Sequence, residues 1–223
     1  MGRNIAERFL NSPDYVVYGV GNKRAVPNTD EYGMFFNCDL TTQAGIEHVF
    51  GRGIKYDVVV QAAATTSGSK DVVERPYLHV TDNAVMNSLI LRACYDYNVG
   101  HFLFLSCGVM YNQERSPVTE EDFYLDEGIY SKYFGVGWTK VYVEKMCEFY
   151  ATIGSTKYTT IRHSNIYGPH DKFDLERSHF FGATITKVMM AEDKISVWGT
   201  GEECRDLLHV SDLTRFVEAA LAK

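Results

Sequence analysis

The sequence predicts an α/β protein built on a doubly wound parallel sheet. Short β-branched or aromatic runs alternate with helical stretches of about 10 to 20 residues, the pattern of successive βαβ units. The run DVVVQAA at 57–63 is apolar at consecutive positions, as a strand covered on both faces must be. The stretch from Tyr158 to His179 opens with β-formers, passes Asn165, breaks at Gly168-Pro169 and continues through a polar loop. Such a strand end is where an α/β sheet places a ligand, because the carboxyl ends of parallel strands face one crevice.

In order, Asn4 to Asn11 reads as a helix with Ile5, Phe9 and Leu10 on one side, Tyr15 to Val20 as a strand, and Met34 to Asn37 as another. Thr42 to Phe50 is helical and Asp57 to Ala63 a buried strand. Pro76 opens a helix to Tyr97 with Leu78, Val85, Leu89 and Ala93 in register. Phe102 to Leu105 is a strand, Phe134 to Thr152 a helix, and Tyr158 to Ile161 a strand. The tail gives a helix near Ala183 to Met190, short strands at Ile195 to Trp198 and Leu207 to Val210, and a last helix from Asp212.

Composition narrows the function classes. The 223 residues, 45% hydrophobic and 23% charged, support a sizeable core. A formal charge of −7 without a basic run argues against nucleic acid, and no apolar run suits a membrane span. A cytoplasmic protein is the expectation. Five dispersed cysteines with no CxxC pair suggest neither a disulfide framework nor a metal site.

Six stretches carry a resemblance: YDVVVQAAA, ERPYLHVTDNAVMNSLILRAC, FLFLSCGVMY, GWTKVYVEKMCEFYA, IRHSNIYGPHDKFDLERSHFF and VWGTGEECRDLLHVSDL. In this order they resemble the extended short-chain dehydrogenase/reductases of the NAD-dependent epimerase/dehydratase family, and within it the GDP-L-fucose synthase branch. The resemblance implies a Rossmann-type fold with 1–164 as dinucleotide-binding domain and 165–223 as part of a smaller substrate region, the last helix returning to the first domain. The family's first strand and glycine turn are missing, with only Gly2 at the position of the turn's last glycine, so the chain reads as truncated at both ends. Without that strand, Asp57 to Ala63 is expected to be covered by a partner chain or a rearranged strand. The resemblance further implies a nucleotide-sugar substrate and a homodimer.

The family pairs a proton-donating Tyr with a Lys four residues later, one helical turn on. Lys140 matches the Lys, in catalysis and in holding the nicotinamide ribose, but Val136 occupies the Tyr position. Tyr133 could substitute only through an irregular helix start; otherwise reductase chemistry is lost. Ser106 and Cys107 match the hydroxyl and acid/base positions, with Cys107 in the hydroxyl position by one count and Ser106 by another. His179 matches the second acid. Asn165, Ser178, His179, Lys187, Trp198 and Arg205 match substrate positions. For the cofactor, Gly21 stands where a ribose-binding Asp would select NAD, and Lys23 and Arg24 follow, so NADP is favoured with NAD as the alternative. Asp39 and Leu40 would flank the adenine, and Ala62, Ala63 and Ala64 would pass beneath ribose and phosphates. The implied activity is an NADP-dependent epimerase/reductase of a 4-keto-6-deoxy sugar nucleotide. A catalytically silent nucleotide-binding protein and another nucleotide-sugar epimerase or dehydratase remain as alternatives.

Overall fold

A computed structural model describes residues 1–223 except 23–33, 67–73, 113–116, 176–177, 198 and 223. At its centre is strand β4 (His101–Cys107), flanked in parallel by β3 (Val58–Gln61) and β5 (Lys157–His163). Alternation along β4 divides the core. Phe102 and Phe104 pack with Ile90, Leu91, Val143 and Cys147, whereas Leu103 and Leu105 pack with Ile5, Phe9, Leu213 and Val217. The first group brings in helices α3 (Thr81–Asp96) and α4 (Phe134–Ile153), and the second α1 (Gly2–Leu10) and α6 (Val210–Leu221). Each such side chain contributes about 1.5–3 kcal/mol on burial, so β4 is pinned from both faces.

Helix α1 forms because Ile5 and Phe9, four residues apart, give it one apolar stripe. Arg8 ties it to α6 through Glu218 at 2.7 Å. Helix α2 (Gln43–Phe50) begins where Thr42 Oγ1 accepts from the Gly45 amide at 3.0 Å. Strands β1 (Tyr18–Gly21) and β2 (Met34–Asn37) form a separate parallel pair, and β6 (Asn165–Tyr167) pairs with β7 (Leu207–His209). Helix α5 (Phe180–Met190) lies between β6 and β7 in the chain. Among the described residues, no helix is long and apolar enough to cross a membrane.

The strands are all parallel, but they are divided among three ladders of two, three and two strands. Residues 2–10 are helical, and among the described residues no strand, rearranged or otherwise, pairs the outer edge of β3. Four expectations need correction. The first strand pairs only from Tyr18, because Tyr15 leaves the ladder to set its ring edge-on to Phe9 at 4.8 Å. The helix expected from Pro76 is a 3-10 turn at Pro76–His79 before α3. Residues 195–197 form no strand: they are exposed and pair with no strand among the described residues, and the Ser196 carbonyl accepts from Lys187 Nζ at 2.8 Å. Asn165 starts a strand of its own, since His163 Nδ1 captures the Ser164 carbonyl at 2.7 Å and interrupts the run from β5.

Candidate functional site

Because β3, β4 and β5 are parallel, their carboxyl ends deliver Ala62 to Thr65, Ser106-Cys107 and His163 to one side of the sheet. A cleft of about 110 Å³ opens between this ladder and the β1–β2 pair. One wall is Val20, Gly21, Asn22, Cys38, Asp39 and Leu40, and the other includes Ala63, Ala64, Thr65 and Met86. Asp39 Oδ1 accepts from the amide and hydroxyl of Thr41, which fixes the loop after β2. Opposite, Asn83 accepts from the Thr65 amide at 2.9 Å and donates to the Thr65 carbonyl at 3.0 Å. The carboxamide of Gln61 spans from Asn87 to the Ala63 amide. These side-chain latches hold the Ala62–Thr65 backbone, which pairs with no strand among the described residues. Gly2 begins α1 so near this segment that a Cβ on it would lie 3.2 Å from Ala62 Cβ. Small residues on strand-end loops beside a helix N-terminus suit the adenosine and phosphates of a dinucleotide. Lys23 and Arg24 lie outside the described residues.

At the end of β4 the chemistry is denser. Lys140, on α4, donates from Nζ to the Leu105 carbonyl at 2.8 Å and sits 4.5 Å from the Phe104 ring centroid. Burial lowers its pKa, while Cys107 and Glu144 pull it back up. Cys107 is half-buried; burial raises its thiol pKa, against the Lys140 charge and the Val109 amide. Ser106 points to the other face, wholly buried, and its Oγ has no hydrogen-bond partner. The thiol and the lysine thus bear on each other electrostatically.

Beside Cys107 in ladder register stands His163, a residue the sequence reading passed over. Its Nδ1 faces the Ser164 carbonyl, so Nδ1 bears the proton and Nε2 is left basic. Burial lowers its pKa against the pull of the Ser164 carbonyl, and the charges of Lys140, the Met1 amino group and His179 lower it further. His179 caps α5. Although much of its surface is exposed, crowding around the ring lowers its pKa, opposed by Asp171 and helped by Lys172. Cys107, Lys140, His163 and His179 therefore form one electrostatically linked group. The polar segment of 168–172 is shaped by Gly168 at φ 139° and His170 at φ 66°, with His170 Nε2 held by Glu7 at 3.1 Å.

A second network braces this group from behind. Arg162, one residue before His163, donates from Nη2 to Glu144 at 2.7 Å, and from Nη1 to the Tyr111 hydroxyl at 2.9 Å and the Glu120 carbonyl at 3.0 Å. Burial works against the guanidinium charge, but Glu144 and Tyr111 outweigh it and raise the pKa. Spacing along β5 could have signalled this arrangement: Ile161 faces α1 and α6, so Arg162 faces α4 and His163 returns to the first side.

The remaining sequence candidates are more dispersed. Tyr133 does end a 3-10 turn ahead of α4, an irregular start, but it packs against the cluster of Met110, Tyr111, Ile129 and Val141, with its ring 5.9 Å from that of Tyr130, and no hydrogen bond joins it to Lys140. Asn165 is exposed and donates to the Asp206 carbonyl at 3.1 Å. Ser178 is buried with its hydroxyl on the Asp174 carbonyl, and Arg205 donates to the adjacent Cys204 carbonyl at 2.7 Å with its charge also felt by Glu203. Lys187 spans to the 190s loop, as noted above. Trp198 lies outside the described residues. Among the described residues, no group of three His, Cys, Asp or Glu could hold a metal ion.

The sequence profile of the "NAD dependent epimerase/dehydratase family" matches residues 1–223. GDP-L-colitose synthase of Yersinia pseudotuberculosis is 29% identical over 168 residues, covering 73% of this chain and 54% of that protein. The UDP-glucose 4-epimerase of Thermotoga maritima, solved with UDP-glucose, superposes with a TM-score of 0.79 at 25% identity, over 96% of this chain and 67% of the other. A GDP-L-fucose synthetase from Naegleria fowleri bound to NADP superposes with a TM-score of 0.73 at 22% identity, over 83% and 63%. The chain spans about half the length of the curated relatives it matches.

Proposed function

The chain belongs to the NAD dependent epimerase/dehydratase family, and from that premise we propose that it acts on a 4-keto-6-deoxy sugar nucleotide as an NADP-dependent epimerase/reductase whose retained chemistry is proton exchange at carbon. The supporting observation is the group at the strand ends. A thiol, a lysine and two histidines converge there, while Val136 stands one turn before Lys140 where a reductase would need an acid for the ketone oxygen. Epimerisation beside a ketone needs an acid and a base at carbon and leaves the oxidation state unchanged. Cys107 and His179 are assigned to the two faces of the sugar, with His163 holding a proton-accepting nitrogen beside the thiol.

NADP, when bound, supplies hydride to a ketone. Its adenosine would rest in the cleft between Asp39-Leu40 and Ala63-Ala64, and Lys140 would orient the nicotinamide ribose. Asn165, Ser178, Lys187, Trp198 and Arg205 are assigned to the sugar nucleotide in the region from 165 onward, which is read as part of a substrate domain following a dinucleotide domain at 1–164. The protein is proposed to work in the cytoplasm as a homodimer.

The test is solvent exchange. Incubated in deuterated buffer, a 4-keto-6-deoxy sugar nucleotide should gain carbon-bound deuterium faster than NADPH is consumed, and Cys107→Ser or His179→Asn should suppress one of two exchange positions. NADPH turnover without exchange would instead assign the acid to Tyr133. The missing phenol also favours a second reading, a binding protein without catalysis, which wins if substrate binds and neither process occurs.

A further inference from the structure

The loop after β6 holds a conformation that its own residues do not favour. His170 has a φ of 66°, in the left-handed region that a residue with a Cβ keeps only when its surroundings enforce it. The enforcement comes from α1, a helix remote in sequence. Asn4 Nδ2 donates to the Pro169 carbonyl at 3.1 Å, and Glu7 Oε2 accepts from His170 Nε2 at the same distance. Asn4 and Glu7 are three residues apart and so share one side of the helix, while Ile5 and Phe9 turn to the core. The other carboxylate oxygen of Glu7 accepts from Arg3 Nε at 2.8 Å, which fixes the carboxylate from its own helix. Burial works against the Glu7 charge, but the bonds from Arg3 and His170 outweigh it and hold the carboxyl below its ordinary range. Beyond His170 the loop runs against α5. The Lys172 carbonyl lies so close to the first turn of that helix that a Cβ on Gly182 would stand 2.5 Å from it, and His179 is the residue at the helix head.

We propose that Glu7 and His170 are positioning residues for His179: their contact seats the 168–172 loop on α1, and the seated loop fixes the first turn of α5 with the imidazole at its head. Neither residue is assigned to touch the reacting carbon. The rest of the loop is already held at both ends. At its start, a Cβ on Gly168 would come 2.7 Å from Val210 Cγ1, and the Asp171 amide donates to the Gly168 carbonyl at 3.2 Å. Past its end, Thr186 Oγ1 on α5 donates to the Phe173 carbonyl at 2.6 Å. What remains open is the side facing α1, and Asn4 and Glu7 close it. The loop also carries charge to the ring. Burial lowers the His179 pKa, Asp171 opposes that and Lys172 adds to it, so a displaced loop would alter the proton affinity of the imidazole as well as its place. The inference rests on the proposed function for the task of His179, proton transfer at one face of the sugar.

The experiment uses the full chain with Glu7→Ala or His170→Ala, and with Glu7→Gln or His170→Asn as conservative counterparts. Gln keeps an acceptor for His170, and Asn keeps a donor for Glu7 while tolerating the left-handed backbone. Deuterium entry into the 4-keto-6-deoxy sugar nucleotide is followed at two carbons. Each alanine variant should slow entry about tenfold at the carbon that His179→Asn suppresses, as a small misplacement of a reacting group does, and leave the carbon that Cys107→Ser suppresses near the parent rate. The conservative variants should recover most of the loss. General destabilisation would slow both carbons alike, so equal slowing, or none, overturns the proposal. A second measurement needs no substrate: amide protection followed residue by residue in NMR. Glu7→Ala should reduce protection across 168–172 and at the Ala183 amide, which donates to the His179 carbonyl at 2.9 Å, with β4 unchanged as the sign that the variant is folded. An Ala183 amide as protected as in the parent overturns the proposal. If the parent takes up no deuterium into the sugar nucleotide while Glu7→Ala still loosens the head of α5, the seating of His179 stands and the proposed function falls.

Discussion

Replacing Arg162 by Met should be among the most destabilising single changes in this protein. The side chain of Glu144 is 7% exposed and that of Arg162 20% exposed, and their closest approach is 2.7 Å. Removing one partner of a buried pair costs about 3–5 kcal/mol, because the other charge is left without compensation. The exposed fifth of Arg162 lets water into the vacated space, which argues for the lower end, about 3 kcal/mol. Loss of the hydrogen bond to Tyr111 is already contained in that figure in part, so it is not added. Pairing the change with Glu144→Met removes the stranded carboxylate, and the double variant should recover to within about 1 kcal/mol of the parent, the remaining deficit being the orphaned Tyr111 hydroxyl. Urea unfolding of the four proteins measures both quantities. A single variant within about 1 kcal/mol of the parent, or a double variant no better than the single, would refute the reasoning.

Lys140→Ala should weaken NADP binding by about tenfold, the equivalent of one charge-assisted hydrogen bond, while shifting the unfolding midpoint little; equal affinities by calorimetry would show that the lysine does not serve the cofactor. Gly168→Ala should cost about 1–3 kcal/mol, since φ is 139° and the new Cβ would lie 2.7 Å from Val210 Cγ1; thermal melts check this. The pH dependence follows from His101, His163 and His179, whose pKa values burial lowers below the ordinary 6.5. Below that value the unfolded chain binds more protons than the fold, so their contribution is complete above it and is lost as pH falls through the folded values. Stability should decline between about pH 7 and pH 5, and a flat profile in urea would contradict the assignment.

Local patterns made much of this architecture legible. MFFN at 34–37 and the long α4 were placed nearly to the residue, because flanking polar and glycine positions bounded them. Strand β4 was underestimated at both ends. His101 and Ser106 are polar by composition yet buried; the neighbouring strand satisfies His101, whose Nε2 meets Thr159 Oγ1 at 2.8 Å, while Ser106 Oγ stays without a partner. Of the strand expected at 195–198, the described residues 195–197 form none for the converse reason, since apolar, β-branched residues with no adjacent edge among the described residues have nothing to pair with. In the site, resemblance marked Lys140, Cys107 and His179, but not His163. Its significance depends on register with Cys107 across two strands fifty-odd positions apart, which no single stretch reveals.

The break in the sheet has a mechanical consequence. The β1–β2 pair is joined to the central ladder through side chains such as Tyr18, Phe36, Val59 and Ile90 and by no strand-to-strand hydrogen bonds among the described residues. A contact made only of apolar surfaces can slide, since dispersion has no directional preference. A molecule lodged in the cleft would touch both margins and act as a rivet across this fault line. Its affinity would then be spent partly on holding two plates together, and by linkage the plates' tendency to part would set how tightly it is held.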